Sequence, residues 1–228
     1  MRKFILYPGS YDYGITQIHR RLQAKNRKNT IFTTFTGMNA SIKENLLEIF
    51  QIPEQRLNEL LDITYVVTYN RNEVIGTANR IFDRLGYIVD GATRAYYVNE
   101  AGEEISYLLQ VNGDFLGDYE SYITGKKSDL IIETLLKTEV VFFEKAKIEQ
   151  LISQDVFWLG FAKKISDLVF LDAKQRINDL LFYNPEQRYL NLLKKSPGII
   201  QKIPQKYISS YLGITPQSLS RIRKRITG

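Results

Sequence analysis

The stretch "PQKYISSYLGITPQSLSRIRKRI", residues 204–226, carries the strongest structural pattern in the chain. Two short helical patterns flank Gly213, a residue suited to the left-handed backbone of a tight turn. Thr215 is a good N-cap, and Pro216 suits the first position of the second helix. Small or apolar side chains fill the positions that a helix-turn-helix buries, namely Ile208, Ser209, Leu212, Ile214, Leu219, Ile222 and Ile226. The pattern therefore predicts a C-terminal helix-turn-helix.

The second helix turns a polar face outward when its apolar residues face inward. That face carries Gln217, Ser218, Arg221 and Arg225, and a recognition helix presents such a face to the DNA major groove. Three further cations, Lys206, Arg223 and Lys224, are placed to meet phosphates. The alternative is a basic helical hairpin that docks on the acidic middle of the chain.

Positive charge is concentrated at the two ends of the chain. Residues 201–228 hold six Lys or Arg and no acid, and residues 1–37 hold seven and a single acid, whereas the whole chain has a formal net charge of +6. This distribution indicates a polyanionic partner. The absence of cysteine excludes disulfides, thiolate metal sites and cysteine nucleophiles, and the single histidine makes a histidine-based zinc site or triad improbable.

The whole chain divides into four segments. Residues 1–37 are interpreted as a basic, poorly ordered N-terminal extension, with a basic arm on nucleic acid as the alternative. Residues 38–153 begin with two helices and continue with short β runs separated by polar or glycine-bearing turns, which predicts a β-roll sensor domain. Residues 154–184 predict one long helix, and residues 185–228 form the DNA-binding region.

The predicted long helix has a wide apolar face, made of Phe157, Phe161, Ile165, Leu168, Leu171, Ile177, Leu180 and Leu181. A helix of nearly thirty residues would span about 45 Å, which exceeds a small domain. A second copy of the same helix is the simplest partner, so the sequence predicts a homodimer. A helix lying across its own β-roll would account for only the first half of the apolar face.

This order of elements from Met38 onward resembles the Crp/Fnr superfamily of bacterial transcription regulators. Residues 111–135 ("VNGDFLGDYESYITGKKSDLIIETL") look like the phosphate-binding cassette of the family, and residues 85–104 look like its preceding hairpin. Residues 187–226 are similar to the branch common in Bacteroidetes. The resemblance implies an α+β fold, with an N-terminal cyclic nucleotide-binding-like jelly roll, flanking helices, a long dimerisation helix and a C-terminal helix-turn-helix. It also implies base-reading roles for Thr215, Pro216, Gln217, Ser218 and Arg221.

The cassette departs from the pattern of the cyclic-AMP-binding members. Those carry Gly-Glu-Leu and, further on, an arginine that pairs with the cyclic phosphate, whereas this chain has Gly117-Asp118-Tyr119 and then Ser128-Asp129-Leu130. Lys127 lies next to the arginine position, but a lysine cannot form the same bidentate fork. The resemblance thus places an effector pocket at Phe115, Gly117, Asp118, Lys127 and Ser128, and the departures predict that it does not bind cyclic AMP.

The leading hypothesis is a cytoplasmic, homodimeric regulator that binds double-stranded DNA and responds to an unidentified small-molecule effector or a protein partner. The alternative is a true cyclic-nucleotide-responsive regulator that binds cyclic AMP or cyclic GMP in the β-roll. RNA polymerase is a further candidate partner, and no membrane span is expected. An enzyme is not expected, because the turn carboxylates Glu103, Glu104, Asp114 and Asp118 have no nucleophile or histidine beside them in the sequence.

Overall fold

The computed structural model describes residues 31–33 and 40–227. Its strands are β1 (Ile31–Thr33), β2 (Thr64–Tyr69), β3 (Val74–Gly76), β4 (Arg84–Asp90), β5 (Ala92–Val98), β6 (Glu104–Val111), β7 (Phe115–Leu116), β8 (Ile131–Thr134) and β9 (Thr138–Glu144). Its helices are α1 (Ala40–Phe50), α2 (Glu54–Leu61), α3 (Tyr119–Thr124), α4 (Lys145–Gln154), α5 (Val156–Phe182), α6 (Pro185–Lys195), α7 (Ile199–Lys202), α8 (Gln205–Leu212) and α9 (Pro216–Thr227).

The strands form two antiparallel sheets that enclose a core, as the α+β expectation required. The strand order is β1-β2-β9-β4-β7 in the first sheet and β3-β8-β5-β6 in the second. Their inward-facing residues make one apolar cluster that includes Val67, Ile88, Ile132, Val140 and Phe142, each no more than 1% exposed. The short β runs expected within residues 38–153 are present as strands.

The hairpin of β5 and β6 is built as its turn residues predict. The Asn99 amide donates to the Glu103 carbonyl, and the Asn99 side chain accepts the Glu103 amide at 2.8 Å. Gly102 takes φ 77°, a conformation that glycine adopts without strain. Strand β6 is the edge of its sheet, so one side of its backbone has no strand partner.

One strand lies in the segment expected to be an extension. Residues Ile31–Thr33 pair antiparallel with β2, which places them in the first sheet, ahead of the expected domain start at residue 38. A β-branched and aromatic segment suits this position, since it covers the backbone edge that β2 would otherwise expose. The remainder of the expected extension, residues 1–30 and 34–37, lies outside the described residues.

The long helix α5 divides into two halves with different surroundings. In the first half Trp158 is 2% exposed, and Phe157, Phe161 and Ile165 pack with it against the first sheet and against α1 and α2. Phe157, Phe161 and Ile165 of the predicted apolar face therefore pack in the core of their own subunit. In the second half the apolar side chains stay exposed, among them Phe170 at 66% and Leu181 at 71%.

No helix within residues 31–33 and 40–227 combines the length and the apolar character that crossing a bilayer would require.

Candidate nucleic-acid interface and effector pocket

The two helices of the helix-turn-helix meet at the turn that the sequence predicts. Helix α8 ends at Gly213, which has the left-handed conformation φ 66°, ψ 38°. Ser209 is 1% exposed, and its carbonyl accepts the Ile214 amide at 3.0 Å. Because Ser209 is small, the two helices can approach closely at this crossing.

Helix α9 begins at a side-chain cap. The Thr215 hydroxyl accepts the Ser218 amide at 3.1 Å, and Pro216 occupies the first helical position, where its missing N–H costs no hydrogen bond. Leu219 and Ile222 are buried, at 0% and 5% exposure. Ile226 was expected to face inward as well, but it is 36% exposed because it lies past the last side chain that α8 can cover.

All nine of the side chains expected to contact DNA are at least partly exposed. The exposed members are Lys206, Thr215, Pro216, Gln217, Arg221, Lys224 and Arg225, and the partly exposed members are Ser218 and Arg223. The structure therefore brings all nine predicted residues onto two adjacent helices.

The cations of this surface differ in their intramolecular partners. Arg225 pairs with Glu186 at 2.7 Å, and Arg223 donates to the Gln205 side chain at 3.4 Å. Arg221 reaches only the Ser218 hydroxyl, at 3.4 Å. Among the described residues, no carboxylate forms an ion pair with Arg221 or Lys224. A surface with un-neutralised cations is suited to bind a polyanion.

The opposite side of α8 docks on the β-roll, so the alternative expectation of a docked hairpin is also met in part. Helix α8 packs on β6, and the buried residues of the helix-turn-helix share one apolar cluster with Ala92, Leu109, Val111 and Leu135 of the roll. Docking by α8 leaves the polar face of α9 exposed. The two readings of the basic hairpin are therefore compatible in this fold.

The cassette, residues 111–135, forms a short helix α3 that its own carboxylate caps. The Asp118 side chain accepts the Ser121 amide at 3.2 Å, at the helix end where an anion would otherwise find free N–H groups. Gly117, just before it, has φ 147°, and a Cβ there would lie 2.9 Å from the Leu85 side chain. The sequence did not reveal α3, because six residues are too few to show a helical period.

The second half of the cassette also satisfies its own polar groups. The Ser128 amide donates to the Arg80 carbonyl at 2.8 Å, and its hydroxyl accepts the Leu130 amide at 3.0 Å. Ser128 is 3% exposed, so its hydroxyl is shielded from solvent. Lys127 pairs with Ile81 through the backbone and keeps an exposed side chain.

Four of the five predicted pocket residues lie around one segment, residues 80–82. Gly117 and α3 contact Phe82, whose amide donates to the Ser121 hydroxyl at 2.9 Å, while Lys127 and Ser128 pair with residues 80 and 81. Phe115 lies apart from them. Its ring packs 5.7 Å from that of Phe50 on α1, outside the roll, because side chains alternate along β7.

Two tyrosines near the cassette escaped the sequence analysis. The rings of Tyr97 and Tyr107 meet edge to face at 5.3 Å, and both side chains are partly exposed. Burial is the main cause that raises the pKa of Tyr107, and the carboxylate of Asp118 raises it further. A negative group therefore lies near this aromatic pair. Tyrosines in strand positions look like ordinary core residues in a sequence, so only the fold reveals their placement.

Another tyrosine links the cassette to the long helix. The Tyr119 hydroxyl and the Ser166 hydroxyl lie 2.7 Å apart, which joins α3 to the middle of α5. Since the cassette pattern of the family has leucine at this position, the sequence comparison gave no signal for a hydrogen bond there.

Comparison with known proteins supports the fold. No protein-family model matches the sequence, and no curated protein matches it either. Three solved structures are similar to the chain over most of its length. FixK2 from Bradyrhizobium japonicum has a TM-score of 0.63 and 18% identity, and the match covers 72% of this chain and 85% of FixK2.

The other two structures cover slightly more of the chain. A regulator from Silicibacter pomeroyi DSS-3, assigned as cAMP-binding, has a TM-score of 0.62 and 19% identity, with 82% of this chain and 86% of that chain covered. A transcriptional regulator assigned to the Crp/Fnr family, from Eubacterium rectale, has a TM-score of 0.57 and 14% identity, with coverages of 81% and 88%. The chain therefore has the fold of Crp/Fnr-type regulators, as the resemblance implied.

Proposed function

We propose that the protein is a homodimeric, sequence-specific DNA-binding transcription regulator of the Crp/Fnr type, acting in the cytoplasm. The observation that carries this proposal is the exposed polar face of α9, on which Gln217 and Arg221 lie one turn apart without a carboxylate partner. Arginine can form two hydrogen bonds with guanine, and glutamine can do so with adenine. A helix is narrow enough to lie in the major groove, which supports this role for α9.

The residues of the interface divide into two groups by their expected roles. Thr215, Pro216, Gln217, Ser218 and Arg221 lie at or near the N-terminal end of α9, where a recognition helix reaches base edges. Lys206, Arg223, Lys224 and Arg225 lie further from that end and are suited to phosphates.

The second half of α5 supports the proposed dimer. Phe170, Ile177 and Leu181 are 66%, 55% and 71% exposed, and they lie on a helix of 27 residues that spans about 40 Å. Apolar side chains in such a row are unfavourable in water, and a second copy of the helix would cover them. Two-fold symmetry would then present two α9 helices to half-sites about one helical turn apart.

The pocket of the roll is proposed not to bind cyclic AMP. The Asp118 carboxylate occupies the N-terminal end of α3, and the Ser128 amide and hydroxyl bond to the protein itself. A cyclic phosphate would therefore meet a carboxylate and would lack an arginine partner, which makes its burial unfavourable. An unidentified small molecule, or a protein partner such as RNA polymerase, would then regulate the DNA binding of this protein.

A regulator that binds cyclic AMP or cyclic GMP is the second candidate, and the similarity to a structure assigned as cAMP-binding favours it. Lys127 has an exposed side chain that could approach a phosphate as a point charge. Calorimetric titration of the protein with both nucleotides separates the candidates. No heat of binding supports the first, and a dissociation constant in the low micromolar range would establish the second.

The proposal describes a regulator without catalytic activity. The turn carboxylates that the sequence analysis weighed have structural partners: Glu104 pairs with Arg94, Asp114 accepts the Val111 amide at 2.8 Å, and Asp118 caps α3. Selection from a random pool of duplex DNA tests the function. A two-fold consensus is expected, and recovery of no consensus would contradict sequence-specific binding.

A further inference from the structure

The contact between α8 and the β5–β6 hairpin has a buried arginine at its centre. Arg94 on β5 is 2% exposed, and its Nε donates to Glu133 at 2.7 Å while its terminal nitrogen bonds to Glu104. The guanidinium lies between two rings, 4.0 Å from the centre of Tyr96 and 3.8 Å from that of Tyr207. The roll supplies both carboxylates and one ring, and α8 supplies the other ring.

Each partner of Arg94 lowers the cost of keeping its charge away from water. A buried guanidinium is tolerated when its hydrogen bonds and charge are satisfied, and its planar face gains further from an aromatic ring. If α8 left the roll, Tyr207 would leave with it. One face of the guanidinium would lose its ring, so the docked arrangement is favoured at this point.

A second contact uses the free edge of β6. The Ser106 amide donates to the Ser210 hydroxyl of α8 at 2.9 Å. Ser106 is 2% exposed, so its amide has no access to water while α8 is docked. An edge strand otherwise offers such groups to solvent or to another chain, and α8 covers this one.

The long helix contacts α8 as well. Arg176 on α5 donates to the Tyr211 carbonyl, and its guanidinium lies 3.7 Å from the centre of the Tyr211 ring. Together with the shared apolar cluster, these contacts join α8 to both the roll and the long helix. Helix α9, in contrast, keeps Gln217 and Arg221 exposed.

We propose that the α8 docking surface, formed by Arg94, Ser106, Tyr207 and Ser210, is a latch that fixes the orientation of the helix-turn-helix relative to the roll. Its orienting role rests on the proposed DNA-binding function, but the docking itself does not. Because the polar face of α9 is exposed while α8 is docked, the latched state is competent to bind DNA, and the proposal assigns DNA binding to it.

The first test detects docking in solution without DNA. The chain has no cysteine, so the double variant Ser106→Cys/Ser210→Cys introduces the only two thiols. Residues that touch as these do are expected to form a disulfide under mild oxidation. The control Ser106→Cys/Ser220→Cys places the second thiol on exposed α9 and should stay reduced. Equal cross-linking of the two pairs would overturn the latch.

The second test measures how firmly the latch holds. Tyr207→Ala removes one ring from Arg94, whereas Tyr207→Phe keeps it. Hydrogen exchange at residues 205–212 should become about tenfold faster in Tyr207→Ala and stay near wild type in Tyr207→Phe. Exchange at β9 should stay slow in both, which shows that the roll is still folded. Unchanged exchange in Tyr207→Ala would contradict the proposal.

The third test connects the latch to DNA. The oxidised Ser106→Cys/Ser210→Cys protein should bind the selected DNA site within about threefold of its reduced form, since the lock preserves the binding orientation. Loss of binding on oxidation, restored by reduction, would overturn the assignment of the latched state as the DNA-binding one. Cross-linking and exchange use the free protein, so they stay informative even if the chain binds no DNA.

Discussion

The helix-turn-helix and the cassette differ in whether their polar groups already have partners within the protein. On α9, Arg221 and Lys224 face solvent, and no carboxylate within the described part of the chain pairs with either. In the cassette, Asp118 caps its own helix, and the amide and hydroxyl of Ser128 bond to the protein. Unpaired exposed cations favour a polyanion, whereas polar groups that are already satisfied gain little from a ligand. Both regions keep the fold of the similar structures, but of the two the first is the one with exposed cations that have no carboxylate partner among the described residues.

The largest expected effect concerns whether two copies of α9, one from each subunit of a dimer, bind DNA together. Phe170→Glu/Ile177→Glu places two charges among the exposed apolar side chains of α5 and should give a monomer. Affinity for the selected DNA site should fall by about 100-fold or more, because two linked binding events become one. Sedimentation equilibrium and gel-shift titration measure the two effects.

Gln154→Glu/Gln175→Glu is the matched control, with the same charge change at exposed polar positions. It should stay dimeric. A wild-type protein that sediments as a monomer at micromolar concentration would contradict the dimer. Each α9 helix would then bind DNA alone, without a second copy to contact the other half-site. The choice of Phe170 also follows from the structure, since Ile165 packs into the core and its replacement would disturb the roll.

The next effect concerns base recognition. Arg221→Ala should cost about 1–3 kcal/mol on the selected site and relax the choice of base at one or two positions of each half-site. Random-sequence DNA should be bound nearly as well as by wild type. Fluorescence anisotropy with both DNAs measures the difference, and Arg80→Ala, an exposed arginine on the roll, is the control. An equal loss on both DNAs would show that α9 does not read bases.

A smaller effect contrasts a lysine from each region. Lys224→Ala should weaken binding to all DNA sequences about equally, and it should lower the slope of log affinity against log salt by about one per subunit. Lys127→Ala, which removes an exposed lysine of the cassette, should change neither quantity. Titrations at several salt concentrations provide the slopes. If the two variants have the same affinity and salt slope, Lys224 does not contact phosphates more than Lys127 does.

The smallest effect concerns the stability of the cassette. Burial is the main cause that raises the pKa of Asp114, so ionisation of this carboxylate disfavours the folded state. Its contribution to stability is fully present below the unfolded pKa and is lost as the pH rises through the folded pKa. Asp114→Asn keeps an acceptor for the Val111 amide and should therefore melt at a higher temperature than wild type near pH 7.

This gain should disappear at acidic pH, where Asp114 of the wild type is protonated too. Melting curves across a pH series measure it, and Asp129→Asn, at an exposed carboxylate of the cassette, should show no comparable gain. A constant difference between Asp114→Asn and wild type at every pH would show that ionisation is not its cause.

Much of the helix-turn-helix was predictable because its signals are local. Gly213, Thr215 and Pro216 mark a turn and a helix start within three residues, and Leu219 and Ile222 follow at helical spacing. The structure confirms the turn and the cap. The pocket was less predictable. A family motif located Gly117 and Asp118, but it could not reveal that Ser128 is buried or that Phe115 packs outside the roll.

The sequence by itself determined the order of the elements, the helix-turn-helix and the absence of the usual phosphate-binding arginine. These follow from interactions within one turn or one strand, and from the identity of single residues. Only the tertiary structure decided that Arg94 lies between Tyr96 and Tyr207, and that the apolar side chains of α5 pack in its first half and stay largely exposed in its second. Arg94 and Tyr207 are far apart in the chain, so no local sequence pattern can predict that they are in contact. Their meeting depends on how the sheet and the helices pack, because the free energy of burying a charge depends on which neighbours surround it.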